Sequence, residues 1–194
     1  MTTKTLSNLL ILTLSFTFTF CGDDSTVEST LFAYSIDGVS KNVQSISGQM
    51  QSEIQFDHEG QNLHLNILNT ASQVMTLNIT NWDFQKPPKD GVIEREYDAT
   101  FDTKQMNGSN PKGECLALTG ANAGRTLCDG GFITVTSGGE VYTSLYTGNT
   151  EGTITITKCT KRKISGSFTG SLKNSNGKKI TVTGSFKNVK YEVF

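Results

Sequence analysis

Apolar residues recur at every second position along much of this chain, and that alternation constrains its fold more than any other feature. In the last third, Ile164, Gly166, Phe168, Gly170 and Leu172 share one face of a run, and Ile180, Val182, Gly184 and Phe186 share a face of the next. A period of two puts such residues on one face of a pleated strand, whereas a helix needs a period near 3.6. The same signal runs through Leu63, Leu65 and Ile67, through Met75, Leu77 and Ile79, and through Ile133 and Val135. After Cys21 the sequence offers no amphipathic helical stretch of useful length.

Turn chemistry separates these runs. Asp37-Gly38 divides Leu31–Ile36 from a partner run over Val39–Ile46, and His58-Glu59-Gly60 follows the alternating Ile54 and Phe56. Ser137-Gly138-Gly139 precedes Val141–Tyr146, and Asn174–Gly177 divides the last two long runs. Such Gly- and Asn-bearing turns join antiparallel neighbours. Pro87 and Pro88 lack backbone donors and exclude a central strand there. Beyond Phe186 the apolar parity flips to Val189, Tyr191 and Val193, which predicts a bulge or a change of sheet. Ser165-Gly166-Ser167-Phe168 and Thr183-Gly184-Ser185-Phe186 look alike, as two adjacent strands under similar packing demands would. The expected fold is all-β: a single antiparallel β-sandwich of about nine to eleven short strands. A closed β-barrel is the alternative, which periodicity does not separate from it.

The start of the chain carries an address. Lys4 precedes an apolar run, Leu9–Phe20, of 12 residues. Crossing a bilayer takes about 20 residues, and no basic flank follows to stop transfer, so the run reads as a cleaved signal. It ends abruptly at Cys21-Gly22-Asp23-Asp24-Ser25, which resembles the lipidation site of bacterial lipoproteins. The expected organisation is a signal peptide over 1–20, a lipidated tether over 21–30 and the all-β domain over 31–194. An ordinary secretory signal cut elsewhere, with Cys21 incidental, is the competing reading.

Charge and cysteine content narrow the function classes. Without Lys4 the chain holds sixteen basic and eighteen acidic residues, a near balance that argues against a nucleic-acid partner. With Cys21 lipidated, Cys115, Cys128 and Cys159 remain in a compartment that permits disulfides. Three thiols allow one internal bridge. Cys115–Cys128 is the favoured pair, with Cys159 the alternative partner for either, and closing a loop of that size stabilises by about 3 kcal/mol. No close cysteine pair or neighbouring histidine supplies metal-ligand spacing. Around Cys115 and Cys128 the stretch from Asp102 to Gly131 is long for a connection, as functional loops often are.

Other residues merit attention for their chemistry. His58 and His64 could serve a metal or a triad across a hairpin, but polar histidines on an exposed face are far commoner. Glu94, Glu96 and Asp98 fall at spacing two on one strand face, the pattern of paired carboxylates in glycoside cleavage and also of a solvated acidic face. Trp82, Phe84, Tyr142 and Tyr146 are the aromatics expected to be exposed, since Tyr142 and Tyr146 fall out of phase with Val141 and Leu145. Trp82, Tyr142 and Tyr146 are therefore candidate stacking platforms for a sugar. No catalytic, metal or cofactor set emerges.

The junction at Cys21, the opening Phe32-Ala33-Tyr34-Ser35-Ile36-Asp37-Gly38, and the closing Gly152–Thr157 and Ile164–Phe186 segments resemble a family of Bacteroidota lipoproteins of uncharacterised role. The likeness covers the first strand and about the last 45 residues. It implies a relaxed cleavage box, which accommodates Phe20 where a small residue is usual, and acylation of Cys21. It implies that Asp23 and Asp24 act as an export tag toward the outer face of the outer membrane; a merely solvated start to the tether is the equal alternative for the two acids, and a periplasm-facing orientation is the alternative for the protein. Asp24-Ser25-Thr26 also resembles a short O-glycosylation motif of such bacteria. The family supplies no functional residues. The resulting expectation is a non-enzymatic outer-membrane lipoprotein, held by its lipid, whose β-domain binds an envelope protein or a glycan. A polysaccharide hydrolase and a structural accessory of an outer-membrane complex are the rivals.

Overall fold

The computed structural model describes residues 29–70, 73–82, 91–100, 113–145, 151–160 and 162–194. The candidate residues Cys21, Asp23, Asp24, Ser25, Phe84 and Tyr146 lie outside them. The long strands are β1 (Leu31–Ile36), β3 (Ser45–Gln55), β4 (His58–Thr70), β5 (Gln73–Trp82), β9 (Gly130–Ser137), β11 (Glu151–Thr160), β12 (Lys163–Lys173) and β13 (Lys179–Lys190). Six short ones intervene: β2 (Val39–Lys41), β6 (Glu96–Asp98), β7 (Cys115–Ala117), β8 (Thr126–Cys128), β10 (Glu140–Thr143) and β14 (Glu192–Val193). These short segments raise the number above the nine to eleven read from periodicity, because two to four residues are too few to show a period.

The architecture is all-β. One half orders its strands β14-β3-β4-β5-β9-β10, and the other β6-β11-β12-β13-β1-β2. They meet where Thr143 of β10 pairs with Lys173 of β12 and where Thr100 bridges Phe132. β7 and β8 form a separate small sheet. The order runs from β14 to β2 without closing, so the fold is a sandwich and not a closed barrel. Every pairing is antiparallel except that of β14 with β3.

The core joins both halves. From one come Leu63, Leu65, Ile67, Met75, Leu77, Ile79, Ile133 and Val135; from the other come Ile154, Ile164, Phe168, Leu172, Val182 and Phe186. Each fully buried aliphatic side chain contributes about 1.5–3 kcal/mol relative to exposure, which fixes the register of every long strand.

The two look-alike motifs are partners. In the β12–β13 register Gly166 lies opposite Phe186, and Phe168 lies opposite Gly184. A Cβ on Gly184 would sit 2.4 Å from the Phe168 ring, and one on Gly166 would sit 2.8 Å from the Phe186 ring. Each phenyl therefore lies over the other strand's glycine, and Phe32 of β1 stacks on Phe186 at 6.0 Å. The repeated Gly-Ser-Phe is thus one cross-strand packing unit read twice in opposite directions.

The predicted break after Phe186 is also present. The register slips between Ile164 and Gly166, Asn188 takes a φ of 53°, and the chain passes through Tyr191 into β14 on the opposite half. There Glu192 pairs with Gln49 and Val193 with Met50. This crossing forms a seam. A Cβ on Gly48 would lie 2.7 Å from both the Lys190 carbonyl oxygen and the Tyr191 Cβ, so glycine is what lets the two halves touch here.

Three local expectations are corrected. The partner run of β1 stops at Lys41, and Ser45 onward belongs to β3 in the other half. The β3–β4 turn falls at Phe56-Asp57, both at positive φ, rather than at His58-Glu59-Gly60, and Ile54 is 78% exposed on the resulting arm. In β10 the parity is reversed: Val141 is exposed and Tyr142 is buried, because Glu140 pairs with Ser137 across Gly138-Gly139 and sets Tyr142 against Val135.

Candidate functional site

The aromatic platforms expected from sequence do not face solvent. Trp82 is wholly buried, packed with Leu118 and Leu127, and its indole Nε1 donates to the Cys128 carbonyl oxygen at 3.1 Å. Tyr142 is 3% exposed, with its hydroxyl on Glu140. Neither offers a ring face to a sugar.

The carboxylate row is likewise engaged elsewhere. Glu94 Oε1 accepts the Cys159 backbone N–H at 2.7 Å. Asp98 is buried and takes both the N–H and the hydroxyl of Thr100, at 2.9 and 2.7 Å, in a local turn. Glu96 is exposed on β6. His58 and His64 lie six residues apart on β4, roughly 20 Å along an extended strand, so they cannot share a metal. His64 Nδ1 lies 2.9 Å from Asn78 Nδ2 on the adjacent strand. Among the described residues, no group of three or more His, Cys, Asp or Glu is placed to hold a metal ion.

The cysteines are joined as the favoured reading had them. Cys115 and Cys128 form a disulfide across the β7–β8 pair, and Cys159 is a free, half-buried thiol with its Sγ 3.6 Å from the Tyr191 hydroxyl. The long segment around the bridge thus holds a clamped hairpin.

That hairpin positions a buried charge cluster which sequence reasoning did not find. Asp129, next to Cys128, is fully buried and accepts the Trp82 N–H at 2.8 Å and the Asn81 side-chain amide at 3.2 Å. Arg95 pairs with Asp129 and reaches Glu114, next to Cys115, at 3.3 Å. Its guanidinium also lies 4.9 Å over the Tyr97 ring. The Tyr97 hydroxyl donates to Asn81 Oδ1 at 2.6 Å, and the Ile93 N–H donates to the same oxygen at 3.0 Å. Burial pushes the Asp129 carboxyl up to about 6, outweighing its donors and Arg95, and pushes the Tyr97 phenol up as well. These hydrogen bonds and ion pairs tie Asp129, Arg95, Asn81 and Tyr97 into one buried cluster, the pattern of a structural network.

The seam has the opposite character. A groove of about 580 Å³ opens along it, lined by Ile46, Gln49, Arg162, Lys163, Lys190 and Glu192. Arg162 sits at the β11–β12 turn with a φ of 71°, and Lys163 lies directly opposite Lys190 in the register. Among the described residues neither Arg162 nor Lys190 has an acidic partner. Three cations therefore share the groove with one carboxylate, that of Glu192. Two smaller hollows adjoin it. One shares Ile46 and Lys190 and is lined by Thr30 and Leu31; the other shares Arg162 and Glu192 and is lined by Phe194. The individual cations are visible in the sequence, but their meeting depends on the crossing from β13 to β14.

No protein-family model, curated protein or solved structure matches this chain.

Proposed function

We propose that the protein is a lipid-anchored component of the bacterial cell envelope whose β-domain binds an anionic ligand or partner at the seam groove without transforming it. The observation that carries the binding part is the groove itself: a concavity in which two exposed cations have no acidic partner among the described residues, whereas Arg95 elsewhere in the domain is paired with the buried Asp129. Uncompensated charge in a concave site raises the local concentration of counter-ions and steers charged ligands toward it. The anchoring part rests on the apolar run that ends at Cys21 and on the Gly22–Thr30 tether. The Cys115–Cys128 disulfide fits an exported protein, since such bonds persist in oxidising compartments. The tether favours the outer membrane, with Asp23 and Asp24 directing the protein to its outer face.

The test is the mass of the membrane-extracted protein beside a Cys21→Ala variant, with protease shaving of intact cells. A diacyl or triacyl increment on Cys21, lost in the variant, together with cleavage from outside, supports a surface lipoprotein. An unmodified soluble product overturns the anchoring. Turnover of a glycan or envelope protein in a screen with the purified protein overturns the non-enzymatic reading.

A further inference from the structure

We infer that the seam groove holds the phosphate of an anionic membrane lipid headgroup, so that the domain lies with its seam against the bilayer. This inference rests on the anchored reading and says how the anchored domain is oriented.

The chain itself places the groove near its point of attachment. Thr30 donates its hydroxyl to the Asn188 carbonyl oxygen at 3.1 Å, and Leu31 pairs with Lys187. The segment leading from Cys21 therefore reaches the domain beside the last turns of β13, where Lys190 faces the groove. Only Gly22–Ser29 separates Cys21 from this contact, and eight residues reach at most about 29 Å when fully extended. A lipid on Cys21 would hold this end of the domain close to headgroups.

The surface around the groove has the chemistry of a membrane interface. Leu31 is 57% exposed on one side of it and Phe194 is 67% exposed on the other. Between them stand Arg162, Lys163 and Lys190, with Lys187 exposed alongside. Cations flanked by protruding apolar side chains suit the boundary between phosphates and acyl chains. A planar guanidinium and an ammonium facing one concavity also suit the oxygens of a phosphodiester. Glu192 is the one acid lining the groove, and it leaves a net positive site.

The experiment uses the unlipidated chain from Gly22. All described strand pairings lie between Leu31 and Val193, so this chain keeps every one, and circular dichroism confirms that each variant is folded. Co-sedimentation is measured with phosphatidylglycerol–phosphatidylcholine vesicles and with pure phosphatidylcholine vesicles at low ionic strength. A cation near an anionic surface is worth about a fivefold change in partitioning, so Arg162→Gln with Lys190→Gln lowers binding to the anionic vesicles about 25-fold. Lys178→Gln, at the far turn of β12–β13, leaves it unchanged. Equal partitioning onto neutral vesicles overturns the inference, and so does a double variant that binds like the parent. Saturable binding of inorganic phosphate by a chain that ignores the vesicles also overturns it, and assigns the groove to a soluble phosphorylated ligand. Because no lipid is attached in this assay, its failure leaves acylation of Cys21 untouched, and an unmodified Cys21 in cells leaves the vesicle result standing.

Discussion

Arg95 and Arg162 carry the same guanidinium, and the regions around them treat it in opposite ways. Arg95 is paired with Asp129, touches Glu114 and lies over Tyr97, within a cluster tied to Asn81 and Trp82 and bracketed by a disulfide. Arg162 stands at a turn beside Lys163 and Lys190 and has no acidic partner among the described residues. Removing one partner from a buried pair leaves a desolvated charge and costs several kcal/mol, whereas an exposed cation contributes little to stability. The comparison separates charge that holds the fold from charge available to something else.

The sharpest way to break this division is at Trp82. If the Asp129 region is structural, Trp82→Ala lowers unfolding free energy by about 3–5 kcal/mol in urea titration, since it empties a buried site and orphans the Cys128 carbonyl. A loss below about 1 kcal/mol would return Trp82 to the ligand-binding role that the sequence suggested.

Next in size is the bridge. Cys115→Ser with Cys128→Ser costs about 3 kcal/mol in the same titration, from the freed loop alone. A variant as stable as the parent would mean that the hairpin holds its shape by packing and that the charge cluster does not depend on it.

A smaller effect is written in pH. Asp129 has a folded-state value of about 6 against an ordinary 3.8, so the folded protein holds a proton that the unfolded chain releases between those values. The contribution is fully present below about 4 and is lost as pH rises through 6, a change on the order of 2–3 kcal/mol. Urea midpoints measured across that window fall with rising pH relative to Asp129→Asn, which has no proton to lose. A flat difference between the two proteins would mean that Arg95 compensates the carboxylate completely.

The smallest effect tests the other side of the comparison. Arg162→Gln with Lys190→Gln changes stability by less than about 0.5 kcal/mol, as expected of surface charges that support nothing in the fold. A loss above about 2 kcal/mol in urea titration would make the seam cations structural and erase the contrast.

Much of the fold was legible, and the reasons differ by element. The β12–β13 hairpin showed itself because every inward position from Ile164 to Leu172 and from Ile180 to Phe186 is apolar or glycine, and the parity flip after Phe186 announced the crossing to the other half. Cys115–Cys128 was the favoured pairing from the loop between them, but three thiols left Cys159 open as a partner, and only the β7–β8 pairing decides it. The inward turn of Tyr142 was legible in principle. A two-residue Gly138-Gly139 turn at φ values of 60° and 80° pairs Ser137 with Glu140, and the rest of the register follows. The β3–β4 turn was hidden because Phe56 and Asp57 occupy left-handed conformations that usually call for glycine or asparagine. Neither charged region was legible as a region, since Asp129 meets Arg95 across 34 residues and Gln49 meets Glu192 across the whole sandwich. Alternation reports the face of a strand; which strands become neighbours is a fact of topology.

The pairing of β1 with β13 carries a consequence for how such a chain comes to be folded. Ile36 lies against Val182 and Leu31 against Lys187, so partners are 146 to 156 residues apart in sequence. A chain synthesised from its amino end has its first strand waiting, with only the three residues of β2 for company, until β13 arrives. Pairings of such long range close slowly and leave strand edges open in the interval. In that interval the open edge of β1 is a template on which the edge strand of another copy could pair, a hazard that ends only when nearly the whole chain is present.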